Sequence, residues 1–287
     1  MRSGATRAAA LLCAIAACSG GDAATPVVRC AESPFRHSPP LVIAHAGGEG
    51  LGPANSILAM QRSMAAGADL LDADLRMTSD GVVVARHDRE VGTANIDELS
   101  WTDLQALDLR SEWQGDSIAE PVRVASLDQI LEAFPDVVIS LEIKQSSPSM
   151  AVALCDVLRR QRAVERVYLS ANNDEDVYAA QAECPGSVVI TTTYRDVAEM
   201  RRVRETGEAW CAPAPIGQPP YRDSLRDPAN VAWSHDHGMA IFTWTVDDPE
   251  TLLALAESGV DGVYTRRPDV ARAVFDAFAL RSDEAAT

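Results

Sequence analysis

From Leu41 onward, eight short β-rich runs alternate with segments of helical periodicity, and this alternation is the strongest constraint on the fold. The runs are LVIAHA (41–46), DLLDADL (69–75), VVVARHD (82–88), VVISLEIK (137–144), RVYLSA (166–171), SVVITTT (187–193), AIFTWTV (240–246) and GVDGVYT (259–265). Helices are predicted over Ser56–Ala66, Leu127–Phe134, Ser149–Arg160, Glu175–Glu183, Val197–Thr206, Arg226–Asp236, Pro249–Glu257 and Pro268–Leu280, several with a proline in the first turn or a glycine just past the end. Strands alternating with helices in this way predict an α/β fold, a (β/α)8 TIM barrel. Arg89–Ser126 is long for a connection and reads as an insertion after strand 3, and the Pro-rich 207–225 segment reads as a loop.

Barrel chemistry collects at the C-terminal ends of the strands. Alternation along the second run puts Asp72 and Asp74 on one face and Leu71, Ala73 and Leu75 on the other. The fourth run repeats the arrangement, with Glu142 and Lys144 facing in and Leu141 and Ile143 facing out. Two buried aspartates repel each other, and a cation relieves that repulsion. Three carboxylates without sulfur or a third imidazole suit a hard divalent cation, Ca²⁺ or Mg²⁺. His45 ends the first run and His87 the third, flanking the aspartate pair. Two imidazoles beside a cation-held phosphate form an acid/base pair for phosphodiester cleavage, because their ordinary pKa lies near neutrality.

The segments AHAGG, PANS, GADLLDADLRMTSDGVVVARHD, VASLDQIL, LEIK, TWTVDD and GVDGVYTRRPD, in that order, resemble the glycerophosphodiester phosphodiesterase family over about Leu41–Ala271. The resemblance implies a (β/α)8 barrel that hydrolyses small glycerophosphodiesters to glycerol 3-phosphate and an alcohol with a divalent cation. It assigns His45 and His87 to acid/base catalysis, Asp72, Asp74 and Glu142 to the metal, Lys144 to the phosphate and Trp244 to the glycerol pocket. Three positions depart from the family pattern: Ala46 stands for its arginine, Ala54 for its glutamate in Pro-Glu-Asn-Thr, and Asp72 for a common glutamate. Arg266 follows the last strand, beside the first in a closed barrel, and is the candidate to replace the missing arginine; Arg76, on the face of Asp72 and Asp74, is its rival. Loss of those groups leaves open a non-catalytic barrel that binds a phosphorylated ligand. A phospholipase D-like enzyme would need an apolar mouth, which the polar 89–126 stretch does not offer.

Residues 1–17 carry Arg2 and Arg7 ahead of an apolar core and read as an export signal. Ile15-Ala16-Ala17-Cys18 resembles the lipobox of bacterial lipoproteins, which implies lipid modification of Cys18 and anchoring to a membrane on the periplasmic or outer side. Residues 18–40 then read as a tether and 41–287 as the catalytic domain. The membrane contact expected is the lipid alone. A formal net charge of −17 without a basic cluster excludes nucleic-acid binding. Oligomeric state is not legible. Of the cysteines beyond the leader, Cys30, Cys155, Cys184 and Cys211, the middle two fall on consecutive predicted helices where they can meet, but the connectivity stays open. His235 and His237 stand two apart near a helix end, a weak metal motif.

Overall fold

The computed structural model of the chain describes residues 29–191 and 194–286. Eight parallel strands form the barrel: β1 (Leu41–Ala44), β2 (Leu70–Met77), β6 (Ile139–Ile143), β7 (Val167–Ala171), β8 (Val188–Thr191), β9 (Ile216–Gly217), β10 (Ala240–Thr243) and β11 (Gly262–Thr265). Each pairs in parallel with the next, and β1 pairs with both β2 and β11, so the ring closes. The remaining strands, β3 (Val83–Ala85), β4 (Glu90–Val91) and β5 (Ala94–Asn95), lie outside it.

The predicted third barrel strand is a correction. Val83–Ala85 pairs antiparallel with β2, through Leu75↔Ala85, Arg76↔Val84 and Met77↔Val83. Only five residues separate Met77 from Val83, too few for the crossover that a parallel partner requires. The insertion therefore follows the second barrel strand. It builds a small core of its own from Val84, Ile96, Leu104, Leu109, Val122 and Val124. The true neighbour of β8 is β9, a two-residue strand inside the proline-rich segment read as loop. Two residues between prolines carry no periodicity to detect.

Helices α1 (Ile57–Ala65), α3 (Leu127–Ala133), α4 (Ala151–Arg160), α5 (Asp174–Glu183), α6 (Tyr194–Thr206), α7 (Pro228–Asp236) and α8 (Pro249–Ser258) follow the predicted spans to within three residues, α9 (Pro268–Ala286) runs six residues beyond its predicted end, and the short α2 (Trp101–Gln105) lies in the insertion. Their starts are capped as the sequence suggests: the Ser56 side chain accepts from the Ala59 amide, and Ser126 with Gln129 forms a capping box. Leu71, Ala73, Leu75, Leu141 and Ile143 face the helices in the main core. Ile43, Leu70, Tyr168, Ile216, Phe242 and Tyr264 fill the lower interior of the barrel.

The folded body begins earlier than Leu41. Residues 29–40 lie across the N-terminal end of the barrel: Phe35 meets Tyr168 edge-on with ring centroids 5.4 Å apart, and Ser33 Oγ donates to the Pro215 carbonyl at 2.6 Å. A Cys30–Cys211 disulfide ties this segment to the approach to β9. The tether reading fails here because Ser33, Phe35 and Pro40 gain burial on the barrel floor. Cys155 and Cys184 are also disulfide-bonded, joining α4 to the end of α5. The export signal and Cys18 lie outside the described residues. No helix among the described residues is long and apolar enough to cross a membrane.

Candidate active site

At the C-terminal end of the barrel, β1 runs into a tight turn at His45–Gly47. Gly48 follows at φ +90°, and a Cβ there would stand 1.9 Å from Ser63 Oγ, so only glycine fits. The turn folds the chain back so that the Ala46 amide donates to Asp72 Oδ2 at 3.0 Å. It also brings Glu49 Oε1 to 3.2 Å from His45 Nδ1. Burial alone would lower the His45 pKa, but the Glu49 bond and the charges of Glu49, Asp72 and Asp74 outweigh it, and the net shift is upward.

Asp72 and Asp74 both point into the barrel and are buried, as alternation predicts. Asp74 is held by Asn55, whose Nδ2 donates to its Oδ2 at 2.9 Å while its own amide donates to Asn55 Oδ1 at 2.9 Å. Lys144 Nζ lies 2.6 Å from Glu142 Oε1 and 3.3 Å from Asp74 Oδ1. Burial alone would lower the Lys144 pKa; the two carboxylates reverse that and hold it above the ordinary lysine value. Asp72 has no such cation. Burial, then the neighbouring Asp74 charge, pushes its carboxyl up to about 7.

His87 sits on the loop beyond β3 rather than at a barrel strand end. Its ring is exposed, with Nδ1 2.7 Å from Asp88 Oδ1, and Arg76 Nε donates to its carbonyl at 2.8 Å. Trp244 is 42% exposed rather than core, with Nε1 donating to the Gln218 carbonyl at 3.0 Å. One cavity of about 1080 Å³ gathers His45, His87, Asp72, Glu142, Lys144 and Trp244.

Arg266 is not among them, which corrects the assignment to substrate. Its carbonyl does accept from Gly50, so the backbone stands beside the His45 loop as closure requires. Its guanidinium, however, turns to Asp247, with Nε 2.6 Å from Oδ2. His235 and His237 are structural at the opposite end: His235 Nε2 lies 2.7 Å from the buried Asp261, and His237 stacks on Trp233 at 4.0 Å. Two residues of the site escaped the sequence reading as individuals. Asn55 was visible only as part of PANS, and Glu49 only as an acid four residues after His45.

Among the described residues, no group of three His, Cys, Asp or Glu side chains is arranged as a formed cation site. Asp74 is engaged by Asn55 and Lys144, so Asp72 and Glu142 are the carboxylates that front the cavity. This all-oxygen set fits a hard cation, whose charge would relieve the repulsion between the buried Asp72 and its neighbour Asp74. With two imidazoles and an ammonium around it, the cavity can bind a phosphate diester and move protons on both sides of it.

Residues 45–270 match the glycerophosphoryl diester phosphodiesterase family. A Mycobacterium tuberculosis protein named "Probable glycerophosphodiester phosphodiesterase 2" is 27% identical over 258 residues, 84% of this chain and 92% of the relative. A glycerophosphodiester phosphodiesterase of Caldanaerobacter subterraneus is 26% identical over 239 residues, 80% of this chain and 95% of the relative. Among solved structures, an Oleispira antarctica phosphodiesterase in complex with the product sn-glycerol-3-phosphate superposes with a TM-score of 0.69 at 20% identity, covering 83% of this chain and 97% of that one. At that identity the likeness shows the barrel.

Proposed function

Because the chain belongs to the glycerophosphoryl diester phosphodiesterase family, and is thus a phosphoric diester hydrolase for glycerophosphodiesters, we propose that His45 and His87 are its acid/base pair and that Asp72 and Glu142, which front the cavity, would hold a divalent cation, Ca²⁺ or Mg²⁺, with Asp74 joining them once released from Lys144. The observation that carries the proposal is the single cavity in which both imidazoles meet Asp72, Glu142 and Lys144.

Glu49 and Asp88 each engage the Nδ1 of one ring, which leaves both Nε2 atoms for proton transfer. Lys144, charged and held by Glu142, binds the diester's phosphate. One histidine takes the proton of the nucleophile, water or the substrate's own 2-hydroxyl, as its oxygen adds to phosphorus. The P–O bond to the alcohol breaks, and the other histidine protonates the departing alkoxide. The chemistry a bound cation would supply is neutralisation of charge on the phosphoryl oxygens.

Purified protein is incubated with glycerophosphocholine and glycerophosphoethanolamine, with Ca²⁺ or Mg²⁺ and then with chelator, and glycerol 3-phosphate is measured. Release that stops on chelation is the expected result. Binding of glycerol 3-phosphate without turnover of any diester would instead identify a phosphate-binding barrel.

A further inference from the structure

The cavity has two unlike sides. One carries His45, His87, Asp72, Glu142 and Lys144; the other is walled by α6 and by the segment after β9, and its charged residues are Arg201, Arg204 and Arg222, with no acid among them. This is against the composition of the chain, in which 42 acidic residues outnumber 25 basic ones. Arg204 is fixed in place, its guanidinium 4.8 Å over the Trp233 ring and hydrogen-bonded to Asn230 Oδ1. Arg201 and Arg222 are exposed, and neither side chain has an ion pair or hydrogen bond to another described residue.

Guanidinium groups on the wall of a cavity without partners among the described residues are donors for an anion, and their planar forks match phosphate and carboxylate. The scissile phosphate falls to Lys144 on the other side. A glycerol moiety is uncharged, so a second negative charge must sit on the other alcohol of the diester. We infer that this enzyme selects glycerophosphodiesters whose leaving alcohol is itself anionic, with Arg201, Arg204 and Arg222 as the selecting residues. The inference rests on the hydrolase reading above and names its substrate class.

The cleanest pair of probes is glycerophosphoinositol 4-phosphate and glycerophosphoinositol, which differ by one phosphate. The expected ratio of kcat/KM is about tenfold in favour of the 4-phosphate, the scale of two or three solvent-exposed ion pairs. It shrinks as salt rises from about 0.05 to 0.5 M. In Arg201→Gln/Arg222→Gln, with an unchanged melting temperature as evidence of folding, the ratio falls toward one. A wild-type ratio near one, a ratio untouched by the double substitution, or a preference for glycerophosphocholine, whose leaving alcohol is cationic, overturns the inference. The same pair is compared by calorimetric binding, so a failure of hydrolysis, which sinks the hydrolase reading, still leaves the affinity ratio to decide this one.

Discussion

His45 Nδ1 and Glu49 Oε1 stand 3.2 Å apart across one turn of chain, both side chains about one-third exposed. The carboxylate supports the protonated imidazole against a burial that opposes it. In Glu49→Gln the ring loses that support, and the His45 pKa falls. Whichever limb of the kcat/KM profile His45 governs should therefore move to lower pH, while the limb set by the other histidine stays. A profile from about pH 5 to 9 decides the matter; an unmoved pair of limbs would remove Glu49 from the mechanism.

Both imidazoles are expected to matter to rate and not to folding. His45→Ala and His87→Ala should each lower kcat by at least ~10²-fold with melting temperatures near wild type. His87 is the stricter test, because its ring is 61% exposed and little of its packing is at stake. Near-normal turnover in either variant would exclude that residue.

Asp72 ties stability to pH. Its folded-state pKa of about 7 lies above the ordinary 3.8, so the folded protein holds a proton that the unfolded chain releases first. The resulting stabilisation is full below about pH 4 and is lost as pH rises through about 7. In chelator, the melting temperature should fall between about pH 5 and 8, and Asp72→Asn should raise it at pH 8 by ~2–4 °C for each kcal/mol of repulsion relieved. Asparagine still accepts from the Ala46 amide, so the variant tests the charge alone. Excess Ca²⁺ or Mg²⁺ should raise the wild-type value. A melting temperature indifferent to both cations would count against the cation site.

How much of this was legible depended on the local signal. Alternation in DLLDADL and LEIK sufficed to place Asp72, Asp74, Glu142 and Lys144 inside the barrel, because a side-chain period of two needs no partner to be read. Caps and breakers fixed the helices. The hairpin at Val83–Ala85 was misread because its composition is that of a buried strand; only the short connection betrays its direction. Ile216–Gly217 was missed because neighbours across the sheet, not its own residues, make it a strand. The orientation of Arg266 was beyond the sequence too: closure predicts its position, but Asp247, nineteen residues away, decides where its guanidinium points.

That last contact reverses an expectation about the family's missing arginine. With the Arg266 guanidinium held by Asp247 and outside the cavity, Arg266→Ala should leave kcat/KM within about twofold. Its cost to stability should be at most about 1 kcal/mol, the scale of an exposed pair. A loss of tenfold or more would show that the arginine swings to the substrate's phosphate during turnover.

Export and anchoring are proposed from the leader alone. Cys18→Ser should release the protein from the membrane fraction or leave its precursor uncut, as read by fractionation and N-terminal mass. A wild-type protein that is wholly soluble and begins well after Cys18 would refute the anchor.

The strap formed by Phe35 and the Cys30–Cys211 bond sets a direction of approach. The chain reaches the barrel at the end opposite the catalytic cavity, and the twelve steps from Cys18 to Cys30 extend at most about 40 Å. A molecule held at Cys18 would be moored by its base, like a cup tethered from below. Whenever that base faces the bilayer, water-soluble diesters would enter from the open medium, and a lipid still embedded in the supporting bilayer would lie on the far side of the barrel from the cavity.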